Sequence, residues 1–196
     1  MVSLVSFCKE INAQESNSEK FIGVLISGGN QKIGTIDIYK GLHPYTYSIL
    51  SFAVTYQQAI WADRAKGHNH WRFYFLIQPQ VGFSTYQYRN GDASYRHGME
   101  VGVDAGFVLR KRYLHEKIGY YFGGTTGPLY ASELPERQHA GFLFCDTGFM
   151  GINIQFSNKI QFDTRFGFRH LSNAGIDFPN NGINNFISNA GVIVQL

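Results

Sequence analysis

The feature that most constrains this chain is a period of two, sustained over runs longer than ordinary strands. From Met99 to Leu109 the odd positions are Met99, Val101, Val103, Ala105, Phe107 and Leu109, while the even ones include Glu100, Gly102, Asp104 and Gly106. Trp71, Phe73, Phe75, Ile77, Val81 and Phe83 alternate in the same way with Arg72, Tyr74, Leu76, Gln78, Gln80 and Gly82. Leu50, Phe52, Val54 and Tyr56 alternate with Ser51, Ala53, Thr55 and Gln57. Successive side chains of a strand point to opposite faces, so each run has one apolar face and one polar or glycine-rich face. Eight strands are predicted, at 21–28, 47–57, 71–86, 98–110, 116–126, 141–156, 160–172 and 184–195. Turn chemistry such as Arg89-Asn90-Gly91-Asp92 and Ser157-Asn158-Lys159 separates them.

A soluble lipocalin-like barrel shows the same period, with its apolar face inward. Composition favours the membrane version, and a soluble lipocalin-like binder is its rival. Only 16% of the 196 residues are charged, aromatic residues also reach 16%, and there are 22 glycines. An average soluble domain carries about 25% charge and about 7% glycine. Arg72, Asp104, Arg110, Asp163, Arg165 and Arg169 all lie on the polar parity of long strands. These features fit an eight-stranded antiparallel transmembrane β-barrel, with an apolar band toward lipid and a polar lumen. The fold class is therefore all-β.

Several other classes are excluded. A content of 44% hydrophobic residues rules out disorder. No stretch approaches the roughly 20 apolar residues of a membrane-spanning helix. A net charge of +3 is too small to suggest nucleic-acid binding. Two cysteines, Cys8 and Cys145, make neither a disulfide framework nor a cysteine metal site. The seven histidines show no ligand spacing, and His68 and His70 read as loop residues. No metal or other cofactor is expected.

Met1 to Phe7 is apolar, and Asn12-Ala13-Gln14 offers the small residue a signal peptidase prefers. Residues 1–20 read as the remnant of a signal peptide or as a disordered N-terminus, and 21–196 as a single barrel domain. Gln58 to His70 reads as an unusually long turn.

Chemistry concentrates near the C-terminus. Between Gln161 and Ser172 the even positions are Phe162, Thr164, Phe166, Phe168, His170 and Ser172. His170 and Ser172 therefore continue a phenylalanine stripe on the apolar face, with stems roughly 6.5–7 Å apart. An imidazole spans that gap to a hydroxyl, the contact a serine nucleophile needs from its base. A turn-rich loop, Asn173 to Ile183, leads to a last strand whose even positions are again apolar. Asn184 shares the parity of His170, and its amide oxygen can accept the ring N–H and hold the tautomer.

The segment Arg169-His170-Leu171-Ser172-Asn173-Ala174-Gly175, followed by Pro179-Asn180-Asn181-Gly182-Ile183-Asn184, resembles the outer-membrane lipid A 3-O-deacylases of the PagL type. The resemblance is specific over Phe142 to Leu196. It implies an outer-membrane esterase that removes the 3-O-linked acyl chain of lipid A, with lipopolysaccharide and outer-membrane lipids as partners. It assigns His170 and Ser172 as base and nucleophile, and Asn173 and Gly175 as oxyanion donors. Asn184 stands where the family carries an acidic residue, and Asp177 is a stand-in for that charge. The implied topology places both termini in the periplasm and Arg110, Lys111 and Arg112 in a periplasmic turn. A homodimer is compatible with such a barrel. A non-catalytic structural or adhesive barrel that keeps the motif is the alternative.

Overall fold

The computed structural model describes residues 19–33, 36–37, 46–62, 71–87, 94–113 and 117–196. The predicted leader up to residue 18, the Arg89–Asp92 turn, and His68 and His70 lie outside these. The strands are β1 (Lys20–Asn30), β2 (Lys32–Ile33), β3 (Ile36–Asp37), β4 (Thr46–Ala62), β5 (Trp71–Gln87), β6 (Tyr95–Tyr113), β7 (Ile118–Ala131), β8 (Gly141–Gln155), β9 (Ile160–Ser172) and β10 (Ile183–Gln195). Apart from the two-residue pair β2–β3, they form one closed antiparallel barrel in the order β1-β10-β9-β8-β7-β6-β5-β4. Its eight strands are the eight predicted, with somewhat different ends.

The parity read from the sequence holds around the wall. Val24 of β1 lies between Val192 of β10 and Val54 of β4, and all three are exposed. Ile22, Ile26, Phe52, Phe83, Val101, Phe107, Phe122, Met150 and Phe166 extend this exposed apolar band around the barrel. Strands of 11 to 19 residues exceed the roughly 9–11 that a tilted strand needs to cross hydrocarbon.

The interior is filled with side chains. One apolar cluster contains Tyr47, Ile49, Tyr86, Leu129, Leu143, Leu171 and Ile183. A second, toward the other end, contains Phe21, Tyr74, Leu76, Val108, Tyr121, Phe149 and Ile193. Two buried ion pairs lie among them: Arg165 Nε donates to Asp163 at 2.8 Å, and Arg169 pairs with Glu100, which also accepts the Tyr47 hydroxyl. Arg169 thus faces the lumen, as its parity predicts.

Two expectations need correction. Arg110, Lys111 and Arg112 are not in a turn, because β6 continues to Tyr113. Arg110 is buried, donates to Gln57 at 2.6 Å and lies over the Tyr74 ring. Lys111 points outward over Trp71 and Tyr113, and Arg112 reaches Glu19 at 3.7 Å. The turn is expected where the predicted strand ends, whereas ring stacking and a carboxylate at the barrel mouth keep all three in the strand. Gln58 to His70 is likewise not all turn, since β4 runs on to Ala62 through a register shift between Ala59 and Trp61.

The two ends of the barrel differ. β8 and β9 are joined by only Phe156–Lys159, whereas residues 132–140 and 173–182 make longer loops at the opposite end. Short turns mark the periplasmic end of such barrels and long loops the outer one. β9 therefore runs outward.

The Val24→Arg variant tests the direction of the apolar face. It should destabilise the barrel in bilayers by about 2–4 kcal/mol, the depth-dependent cost of a lipid-facing arginine. Urea unfolding in lipid vesicles measures this, and a change within about 0.5 kcal/mol would indicate a water-facing surface.

Candidate active site

β9 carries His170 and Ser172 to the outer end of the wall, both half-buried and on the lipid-facing parity. His170 lies directly opposite Asn184 of β10. The ring Nδ1 and Asn184 Oδ1 are 2.7 Å apart. With the amide oxygen as acceptor, Nδ1 carries the proton and Nε2 is left as the base. Among the described residues no hydrogen bond joins Ser172 Oγ to the ring; the pair shares a face without yet being in contact.

The loop after Ser172 folds on its own polar groups. Ala174 and Gly175 have φ values of 54° and 80°, and Ile176 N–H donates to Asn173 O at 3.0 Å, the pattern of a type I′ turn. Asn173 Oδ1 accepts the Gly175 N–H at 3.0 Å, and its Nδ2 donates to Asp177 O at 2.8 Å. Both assigned oxyanion donors are thus engaged within the loop. Asp177 is not brought to His170, as its carboxylate lies 3.5 Å from His139 Nε2 in the neighbouring loop.

That neighbouring loop, residues 132–140, fixes the site in place. His139 N–H donates to Pro179 O at 2.7 Å, Arg137 Nη2 to Asn181 O at 2.6 Å, and Gly182 N–H to Gln138 Oε1 at 3.0 Å. Gly182 has φ 70°, and a Cβ there would stand 2.5 Å from Cε1 of His170. Glycine is required both by the backbone and by the imidazole edge against it. The sequence offered no signal for Arg137 and Gln138, whose contacts depend on the packing of two loops.

Sequence reasoning also missed Asp146. It lies opposite His170 on the β8 side and opposite Thr126 of β7, whose hydroxyl donates to Asp146 Oδ1 at 2.6 Å. The signal was available, because the even parity of 141–156 and the short turn at Ser157–Lys159 fix this register. Below the row, an external cavity of about 590 Å³ is lined by Phe107, Gly124, Thr126, Asp146, Phe168 and His170. Further down the wall a second groove, of about 710 Å³, is lined by Trp71, Tyr120, Phe122, Met150, Ile152 and Phe166.

A closed eight-stranded barrel with an apolar outer band and a serine–histidine pair on its lipid-facing wall defines a class: outer-membrane barrels whose candidate chemistry faces the leaflet. The family profile described as Lipid A 3-O-deacylase (PagL) matches residues 51–192. The chain belongs to this lipid A 3-O-deacylase (PagL) family. Among solved structures, that of the outer membrane enzyme PagL aligns with a TM-score of 0.50 at 12% identity, covering 90% of this chain and 98% of that one. Neisserial surface protein A aligns with a TM-score of 0.48 at 14% identity, over 90% of this chain and 97% of that one. Ail, the attachment invasion locus protein of Yersinia pestis, gives 0.45 at 12% identity, over 91% and 97%. No curated protein sequence matches the chain.

Gly182→Ala tests the contact with the ring. The substitution should strain the loop by about 1–2 kcal/mol and displace the imidazole. Ester hydrolysis should fall at least tenfold while the barrel stays folded, as judged by gel mobility without heating. Unchanged hydrolysis would show that the imidazole tolerates displacement.

Proposed function

We propose that the protein is an outer-membrane esterase that hydrolyses the 3-O-linked acyl chain of lipid A. The observation that carries this reading is the held imidazole. His170 is pinned by Asn184 on the lipid-facing wall, beside Ser172 and above an apolar groove, at the end with the long loops. A lipid ester presented from the outer leaflet would meet this face directly. Family membership supports the substrate class.

In this mechanism Ser172 Oγ attacks the ester carbonyl as His170 Nε2 takes its proton. The tetrahedral oxyanion is held by Asn173 and the Gly175 N–H, which must leave their contacts within the loop to reach it. The imidazolium then protonates the leaving sugar oxygen, and the C–O bond breaks to give an acyl-serine. Water, deprotonated by His170, releases the fatty acid and restores Ser172. Asn184 fixes the tautomer throughout but adds no negative charge.

The second reading is a non-catalytic barrel that keeps the motif as a brace. It is favoured by one feature, the engagement of both oxyanion donors with their own loop. A serine-directed fluorophosphonate separates the two, because it labels an activated serine and leaves an ordinary one untouched. Labelling of Ser172 in the folded protein supports the esterase; a folded protein that resists the probe supports the brace.

Ser172→Ala and His170→Ala should each lower fatty-acid release by about three orders of magnitude or more, with the barrel still folded. Activity within tenfold of wild type in either would remove that residue from the mechanism. Asn184→Ala and Asn184→Glu should move in opposite directions, the first losing the ring's anchor and the second adding a charge that favours imidazolium. Unchanged turnover in both would exclude Asn184 as the third member.

A further inference from the structure

The row across the outer wall contains more than a pair. Thr126, Asp146, His170 and Asn184 stand in register on four adjacent strands, each the direct neighbour of the next. Two of the three junctions are hydrogen bonds, Thr126 to Asp146 at 2.6 Å and His170 to Asn184 at 2.7 Å. The remaining junction joins a carboxylate to an imidazole. Directly opposed residues have Cβ atoms about 4.5–5.5 Å apart, so Asp146 stands beside His170 on the side away from Asn184, with its carboxylate bonded to Thr126 rather than to the ring.

The position is unusual for the fold. Glu100, Asp104 and Asp163 face the lumen, and Asp146 is the one carboxylate on the outward parity of the described barrel strands. A charge on a lipid-facing wall is costly and marks a functional position more often than an accident. Other carboxylates near the ring are already engaged or turned away: Asp177 pairs with His139, and Glu100 lies inside with Arg169. Asn184, on the far flank, is neutral.

We infer that Asp146 supplies from β8 the negative charge that the third-member position on β10 lacks, with Thr126 holding the carboxylate in place. This inference rests on the esterase reading above. As Ser172 attacks, its proton moves to His170 Nε2, and the ring becomes cationic between Asn184 and Asp146. The proton stays on His170 and is not passed on to Asp146. Its attraction for the imidazolium is strengthened by the low-dielectric lipid beside it. The ring is thus held by one neighbour and charge-balanced by the other, dividing between two strands what one acidic residue does in a conventional triad. Asp146 is a positioning residue acting through His170, although it also lines the cavity that would take the substrate.

The test is Asp146→Asn, which keeps the shape and removes the charge, together with Asp146→Glu and the double variant Asp146→Asn/Asn184→Glu. Wild type and variants, folded in detergent or vesicles, are compared for kcat and KM on lipid A and for the rate at which a fluorophosphonate labels Ser172. Asp146→Asn should lower kcat and the labelling rate about 10- to 100-fold, the effect of removing an opposite charge next to an ionising group. KM should stay within about twofold, because the lost interaction is made in the transition state. Asp146→Glu should retain most activity. Asn184→Glu should restore the double variant and should raise wild type by less, since two carboxylates then compete for one ring.

Asp146→Asn with wild-type kcat and labelling overturns the inference and leaves the esterase intact. A loss that neither Asp146→Glu nor Asn184→Glu repairs assigns Asp146 to the shape of the wall and also overturns it. If wild type labels at Ser172 but does not cleave lipid A, the proposed substrate fails while the labelling rates still decide the role of Asp146. A folded wild type that neither labels nor hydrolyses refutes both.

Discussion

Hydrocarbon offers a polypeptide backbone no hydrogen-bond partners, and the rest of this structure depends on that constraint. Every N–H and C=O that crosses the bilayer must be satisfied within the chain, and for strands this is possible only when the sheet closes on itself. Here the closing seam is the pairing of β1 with β10, from Phe21 opposite Gln195 to Asn30 opposite Phe186. Once the seam is closed, each strand has one register with each neighbour, and each side chain is committed to lipid or lumen. A slip of one residue would turn Asp163, Arg165 and Arg169 out to the lipid and turn the phenylalanines of β9 inward.

The same commitment explains where the chemistry is found. The lumen is closed by two apolar clusters with paired charges among them, so it offers a substrate no passage. Near the long loops, polar side chains line up at one height of the outer wall across β7, β8, β9 and β10. Register alone brings Asp146, His170 and Asn184 side by side, although they are far apart in sequence. The loops complete the arrangement. Gln138 and Arg137 hold the segment that ends at Gly182, and Gly182 in turn leaves room for the imidazole edge.

Much of this was legible in the sequence because parity is a local property. The alternation from Met99 to Leu109 and from Gln161 to Ser172 identified strand, face and lipid side, and it put His170, Ser172 and Asn184 on one surface. The strand ends were less legible. Lys111 and Arg112 lie past the predicted strand end at 110, yet ring stacking and Glu19 retain them in β6. The strand predicted to end at 126 continues to Ala131, with Pro128 opposite Phe144. Asp177, the stand-in for the missing acidic residue, sits mid-loop without a parity to place it, and loop packing turns it toward His139. Asp146 needed a second step of inference, from parity to cross-strand register. The mutual engagement of Asn173 and Gly175 could not be read at all, because it depends on the dihedral angles of one turn.

Everything proposed for this lipid-facing wall turns on its cleaving one particular ester bond. Mass spectrometry of lipid A, after incubation in vesicles with the folded protein, tests it most directly. Lipid A should lose the mass of a single acyl chain, fragmentation should locate the loss at the 3-O position, and the phosphates and amide-linked chains should stay intact. Lipid A of unchanged mass, or loss of a chain from any other position, would contradict it.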